Sequence, residues 1–110
     1  MSKRQFMLAS YQVDLDDQEA FLAELNATEK AYRDEELITD RPILRMASKK
    51  DPEFILEIIE FVDSQAVADV MDNANVQVHW VKLASMWKNG DFAANNIPEA
   101  HVPWALMDAL

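Results

Sequence analysis

Few residues in this chain could do chemistry, and their types narrow the reactions at once. His79 carries an imidazole that titrates near neutral pH and could serve as a general base. Arg45 carries a permanent charge that could stabilise a developing anion. Trp80 and Trp87 fall on one face of a helix, with Ala84 between them, and could stack on an aromatic ring. Each also has a plainly structural reading. The tryptophans suit a core stripe, Arg45 suits an ion pair with Glu57 across a hairpin, and His79 beside the stripe suits a surface or interface.

Other chemistries lose their residues. Among 110 residues there is no cysteine, which removes thiolate nucleophiles, disulfides, iron–sulfur clusters and cysteine-based zinc sites. His79 and His101 are distant in sequence, and neither sits in a His-Glu-x-x-His pattern. The run Asp14-Leu15-Asp16-Asp17 has the look of a calcium loop, but Glu19 stands where that loop needs glycine and Leu25 where it needs glutamate. It reads instead as a helix start. Gly90 is the single glycine, so the glycine-rich loops that cradle phosphates are absent. Asn26-Ala27-Thr28 matches a glycosylation sequon but lies inside an expected helix.

The charge balance is acidic. With 20 acidic residues against 10 basic ones, the net charge of -10 repels phosphate backbones and anionic headgroups, so neither nucleic acid nor membrane is an expected partner. The apolar run Phe6-Met7-Leu8-Ala9 is shorter than a signal-peptide core, and no stretch is long enough to span a bilayer. A soluble, cytoplasmic protein is the expectation.

The positioning elements follow from apolar periodicity. Arg4 to Val13 reads as a strand, with Phe6, Leu8 and Ser10 on one face and Met7, Ala9, Tyr11 and Val13 on the other. A helix from Asp16, with Glu19 completing an acidic capping box, lays Phe21, Leu25, Thr28 and Tyr32 on the sheet and runs to Leu37. Ile43 to Ser48 and Phe54 to Val62 form a hairpin about the turn Lys49 to Pro52. Asp63-Ser64 caps a second helix, which Asp72 to Asn75 interrupts before it resumes through Trp87 and ends at Lys88-Asn89-Gly90. A short fourth strand is expected at Asp91 to Ile97. The fold class is therefore α+β, a ferredoxin-like βαββαβ antiparallel sheet with helices on one face, within a single domain over 1–97. Residues 98–110 read as a tail packed on its own or a partner subunit, since Pro98 and Pro103 forbid a continuous helix there. The third strand does not alternate, so the sheet should be covered on both faces, and a homodimer through the helix-free face is the natural second cover.

The segments Glu60-Phe61-Val62-Asp63-Ser64-Gln65-Ala66-Val67 and Asn75-Val76-Gln77-Val78-His79-Trp80 resemble the third-strand exit and broken second helix of antibiotic biosynthesis monooxygenase-like proteins, which form dimeric α/β barrels. The resemblance spans Gln5 to Ile97. It implies a ligand cavity between sheet and helices, with Ser10, Tyr11, Tyr32, Met71, Trp80 and Trp87 as candidate lining and His79 and Arg45 as candidate catalytic groups. Met71 stands where family members often carry a histidine. Alternation allows only one of Ser10 and Tyr11 to line a given cavity. The implied activity is a cofactor-independent oxygenation of a small aromatic or polyketide-like compound. The alternative is a non-catalytic homodimeric module that binds a small molecule or serves a structural role.

Overall fold

The computed structural model describes residues 3–88, 97–99 and 104–109. Strand β1 (Gln5–Gln12) leads through a 3-10 turn (Leu15–Asp17) into helix α1 (Gln18–Asp34). The hairpin of β2 (Leu44–Ala47) and β3 (Phe54–Phe61) follows, then α2 (Ser64–Asp72), α3 (Ala74–Ala84) and β4 (Trp104–Asp108). The sheet runs β2-β3-β1-β4 with every neighbouring pair antiparallel, the strand order of the split βαβ plan.

Alternation along β1 and β3 decides which side chains meet the helices. Met7, Ala9 and Tyr11 of β1 and Ile55, Glu57, Ile59 and Phe61 of β3 are buried beneath them. Phe21, Leu25, Thr28, Ala31 and Tyr32 form the buried stripe of α1, and Val70, Val76 and Leu83 close the layer from α2 and α3. Thr28 sits in that stripe without penalty because its hydroxyl donates to the Glu24 carbonyl at 2.7 Å. The opposite face of the sheet is largely apolar, with Phe6, Leu8, Leu56 and Ile58 half-buried, Leu44 and Met46 exposed, and the polar Ser10 and Glu60 buried beside them.

The helix breaks have local causes. Asp63 is in extended backbone and accepts from the Ala66 N–H at 2.8 Å, capping α2. Asn73 does the same for α3, accepting from Asn75 at 2.9 Å and Val76 at 3.2 Å, so one residue ends α2 and starts α3. The start of α1 differs from the expected capping box. Asp17 precedes the helix with no side-chain cap, because the backbone turns in continuously and the Asp17 N–H already bonds the Asp14 carbonyl. The helix also stops three residues short of Leu37. Glu36 takes a left-handed φ of 58°, and the Glu36 and Leu37 N–H groups return to the carbonyls of Arg33 and Tyr32.

At the far end, α3 stops at Ala84 and the chain turns so that the Lys88 N–H reaches the Gln12 carbonyl at 2.7 Å. The expected stop at Asn89-Gly90 and the expected strand at Asp91 to Ile97, save Ile97 itself, lie outside the described residues. Among the described residues, the strand that pairs with β1 on the side away from β3 is Trp104–Asp108, with Phe6 opposite Met107 and Leu8 opposite Ala105. The sequence reads that stretch as part of a tail; the structure makes it an edge strand of the sheet.

Candidate functional site

A cavity of about 300 Å³ lies between the sheet and the helices. Met7, Ala9 and Tyr11 supply its floor from β1, Tyr32 one wall from α1, and Met71, Trp80, Leu83 and Trp87 the rest. Five of the candidate lining residues therefore meet there: Tyr11, Tyr32, Met71, Trp80 and Trp87. Ser10 does not join them. It is buried on the other face of β1, as its place beside Tyr11 requires.

The aromatic walls are held by specific contacts. Trp80 Nε1 donates to the Tyr32 hydroxyl at 2.8 Å, tying α3 to α1. The Trp87 ring stacks on Tyr11 with centroids 6.0 Å apart, and Phe21 meets Tyr11 edge-on at 5.1 Å. Tyr32 in turn meets Phe61 edge-on at 5.8 Å.

Behind Tyr11 stands a buried carboxylate. The Tyr11 hydroxyl donates to Glu57 Oε1 at 3.1 Å, and Arg45 Nε donates to Glu57 Oε2 at 3.0 Å. Arg45 then spans to α1, where it donates to Glu29 Oε1 at 3.0 Å, to Asn26 Oδ1 at 2.7 Å and to the Leu25 carbonyl at 3.2 Å. Burial raises the Glu57 pKa, and the charge and hydrogen bonds of Arg45 and Tyr11 oppose that rise. Burial, then the Glu57 charge, then Tyr32 push the Tyr11 phenol well above its usual value. Tyr32 is raised by burial and by Glu57, against the hydrogen bond from Trp80. Both phenols are neutral at physiological pH.

The two residues first considered for catalysis stand outside the cavity lining. Arg45 forms the expected cross-strand pair with Glu57, directly opposite it in the β2–β3 register. His79 is half-buried, with Nδ1 2.7 Å from Glu24 Oε1, so it joins α3 to α1. Glu57 was visible in the sequence only as a partner for Arg45. Its shared parity with Ile55 and Ile59 was the signal that this carboxylate points inward and needs partners. Among the described residues, no group of three or more His, Asp or Glu side chains could hold a metal ion, and no helix is long and apolar enough to cross a membrane.

A four-stranded antiparallel sheet with helices on one face and an aromatic-walled cavity between the layers together define an α+β fold of the ferredoxin-like plan. More particularly, the chain has the fold of the antibiotic biosynthesis monooxygenase-like proteins. A conserved protein of Methanosarcina mazei superposes with a TM-score of 0.74 at 11% identity, over 99% of this chain and 95% of its own. SnoaB of Streptomyces nogalater, a cofactor-independent oxygenase, gives 0.73 at 10% identity, over 99% and 95%. A further antibiotic biosynthesis monooxygenase gives 0.68 at 15% identity, over 97% and 98%. No protein-family model and no curated protein sequence matches the chain.

Proposed function

We propose that this protein holds one small, planar, largely apolar molecule in the sheet–helix cavity and oxygenates it without a cofactor. The observation that carries the reading is the cavity itself. At about 300 Å³, with Tyr11, Tyr32, Trp80 and Trp87 in its walls, it suits a compound of one to three fused rings. The likeness to SnoaB, described as a cofactor-independent oxygenase, supports the reaction class. Dioxygen is the oxidant. An activated ring CH2 becomes a carbonyl, one oxygen atom enters the product, and the other leaves as water with the two hydrogens.

The groups that touch the substrate in this proposal are Tyr11 and Tyr32, with the tryptophans stacking on the ring. Arg45 and His79 act at a distance, Arg45 by compensating Glu57 and His79 by joining the two helices. A second reading, a non-catalytic binding module, is favoured by one observation: among the described residues, no charged side chain lines the cavity. The two readings separate in one experiment. Native mass spectrometry of freshly purified protein should show a retained small mass, and oxygen consumption with a panel of anthrone-like compounds should then show turnover that Tyr32→Phe reduces at least several-fold. A retained mass with no oxygen uptake across the panel selects the binding module.

The same proposal includes a homodimer through the helix-free face of the sheet. Its support is the apolar surface of Phe6, Leu8, Leu44, Met46, Leu56 and Ile58, which the described residues leave half-buried or, at Leu44 with 53% and Met46 with 44%, exposed. Leu44→Asp should give a monomer by sedimentation with little loss of monomer stability. A wild-type protein that sediments as a monomer would overturn the dimer.

A further inference from the structure

We infer that the Tyr32 hydroxyl fixes the ligand by donating its proton to a neutral acceptor, a ring carbonyl oxygen, and that Trp80 is the positioning residue that aims this proton into the cavity. This inference deepens the proposed function and rests on the reading that the cavity holds a ligand.

A phenol hydroxyl has one proton to give and lone pairs with which to receive. Trp80 Nε1 can only donate, and it places its proton on the Tyr32 oxygen at 2.8 Å. The Tyr32 proton must therefore turn away from the indole. Tyr32 lines the cavity and is 4% exposed, so the space open to that proton is the cavity and not the protein surface. Among the described residues the proton meets no acceptor. A buried donor left without a partner is costly, and a ligand oxygen that meets it recovers that cost.

Glu57 acts on Tyr32 through its charge, whereas its hydrogen bonds come from Tyr11 at 3.1 Å and Arg45 at 3.0 Å. Burial, then that charge, raise the Tyr32 pKa, so the proton stays on its oxygen across the neutral range. The same negative field resists an anionic ligand atom beside the hydroxyl, which favours a neutral acceptor. Receiving the indole proton polarises the hydroxyl and makes it a better donor. A carbonyl oxygen suits it, because its lone pairs lie in the plane of the ring that carries it.

Tyr32 is also held still. Its ring meets Phe61 of β3 edge-on at 5.8 Å, its hydroxyl is tied to Trp80 of α3, and its backbone belongs to α1. The donor is set before a ligand arrives, so binding loses little side-chain freedom.

The test uses the full-length protein with two probes, indanone and indane, which differ by the carbonyl oxygen. In the wild type the infrared carbonyl stretch of bound indanone should lie below its position in an alkane, the mark of a hydrogen-bonded carbonyl. Tyr32→Phe should return the stretch to the alkane position and weaken indanone binding about five- to tenfold, the value of one hydrogen bond, with indane binding unchanged. Each probe is compared with itself across the two proteins, which cancels the different hydration of the probes. Trp80→Phe, which leaves the Tyr32 hydroxyl in place, should move the stretch part of the way back, and an unmoved stretch there overturns the role of Trp80. A wild-type stretch equal to that in alkane overturns the whole inference while leaving the cavity reading intact, whether or not the variants fold. A Tyr32→Phe variant that keeps the wild-type stretch, or that weakens both probes alike, does the same. If neither probe binds to the wild type, the cavity reading itself falls and this inference with it.

Discussion

Replacing Arg45 by alanine should destabilise the protein strongly at neutral pH and much less in mild acid. The side chains of Arg45 and Glu57 are 19% and 3% exposed, so Glu57 would be left as an uncompensated buried charge. Its escape is to protonate, and that sets the ceiling on the pH-dependent part of the loss, to which the lost bonds to Glu29, Asn26 and the Leu25 carbonyl add at every pH. From the ordinary value of 4.5, holding the proton at pH 7 costs about 3.4 kcal/mol, at about 1.36 kcal/mol per unit. At pH 5 the same step costs only about 0.7 kcal/mol. The sign follows from linkage. Burial raises the Glu57 pKa in the folded state, so the folded chain binds the proton more readily than the unfolded one, and stability declines as pH rises above 4.5. Removing Arg45 takes away the largest opposing influence, so the pKa rises further and the decline extends to higher pH. The Glu57 contribution to the loss is therefore about 3 kcal/mol at pH 7, roughly 10–20 °C in Tm for a chain of this size, and below about 1 kcal/mol at pH 5. Urea unfolding of wild type and variant at both pH values measures it. A loss that is equal at pH 5 and pH 7, or below about 1 kcal/mol at both, would refute the reasoning.

Three further perturbations test local parts of the fold. Glu36→Gly should stabilise the protein by about 0.5–1 kcal/mol, because the left-handed φ of 58° strains any side chain but costs glycine nothing; thermal unfolding reads it. Asp63→Ala and Asn73→Ala should each cost about 1 kcal/mol, whereas Asp17→Ala, which removes no side-chain cap, should cost clearly less in the same assay. Thr39→Val removes the 2.6 Å hydrogen bond that most lowers the Glu60 carboxyl pKa. A group held low stabilises the fold above its unfolded pKa and loses that contribution as pH falls through the folded value, so the variant should begin its acid loss at higher pH. NMR titration of the Glu60 carboxyl should show the upward move directly.

Much of the sheet was legible because its side chains leave little freedom. The run Phe54 to Phe61 could be only a strand covered on its inner face by helices, and Asp63 and Asn73 are short polar residues placed where helix N–H groups need acceptors. What was not legible depended on backbone geometry or on register. The end of α1 came early because Glu36 enters a conformation that sequence normally announces with glycine. The start of α1 lacks its box because a 3-10 turn supplies the first hydrogen bonds. The fourth strand at Trp104–Asp108 draws on a segment whose prolines and apolar residues fit a docked tail equally well. At the site, the lining aromatics followed from strand alternation and the resemblance, while the Tyr11–Glu57 contact did not. In the β1–β3 register Glu57 stands opposite Ala9, and Tyr11 reaches it diagonally, so the pair exists only once the register is set.

The contacts of the two tryptophans explain how the cavity stays open when the same rings could fill it. An indole on a helix facing a sheet would bury most area by collapsing onto the floor. Trp80 is restrained from doing so by its hydrogen bond to the Tyr32 oxygen, since moving inward would leave a buried N–H without an acceptor. Trp87 lies parallel to Tyr11, which is itself fixed by Glu57 and by the edge of Phe21. Both rings are thus bound to the walls by groups that are already committed elsewhere. The small floor residue Ala9 completes the arrangement, because a larger side chain at that position would occupy the space between Tyr11 and Met7. Open volume therefore has its origin in the chain of contacts from Arg45 through Glu57 and Tyr11 to Trp87, and a change at its buried end should be felt in the cavity before it is felt at the surface.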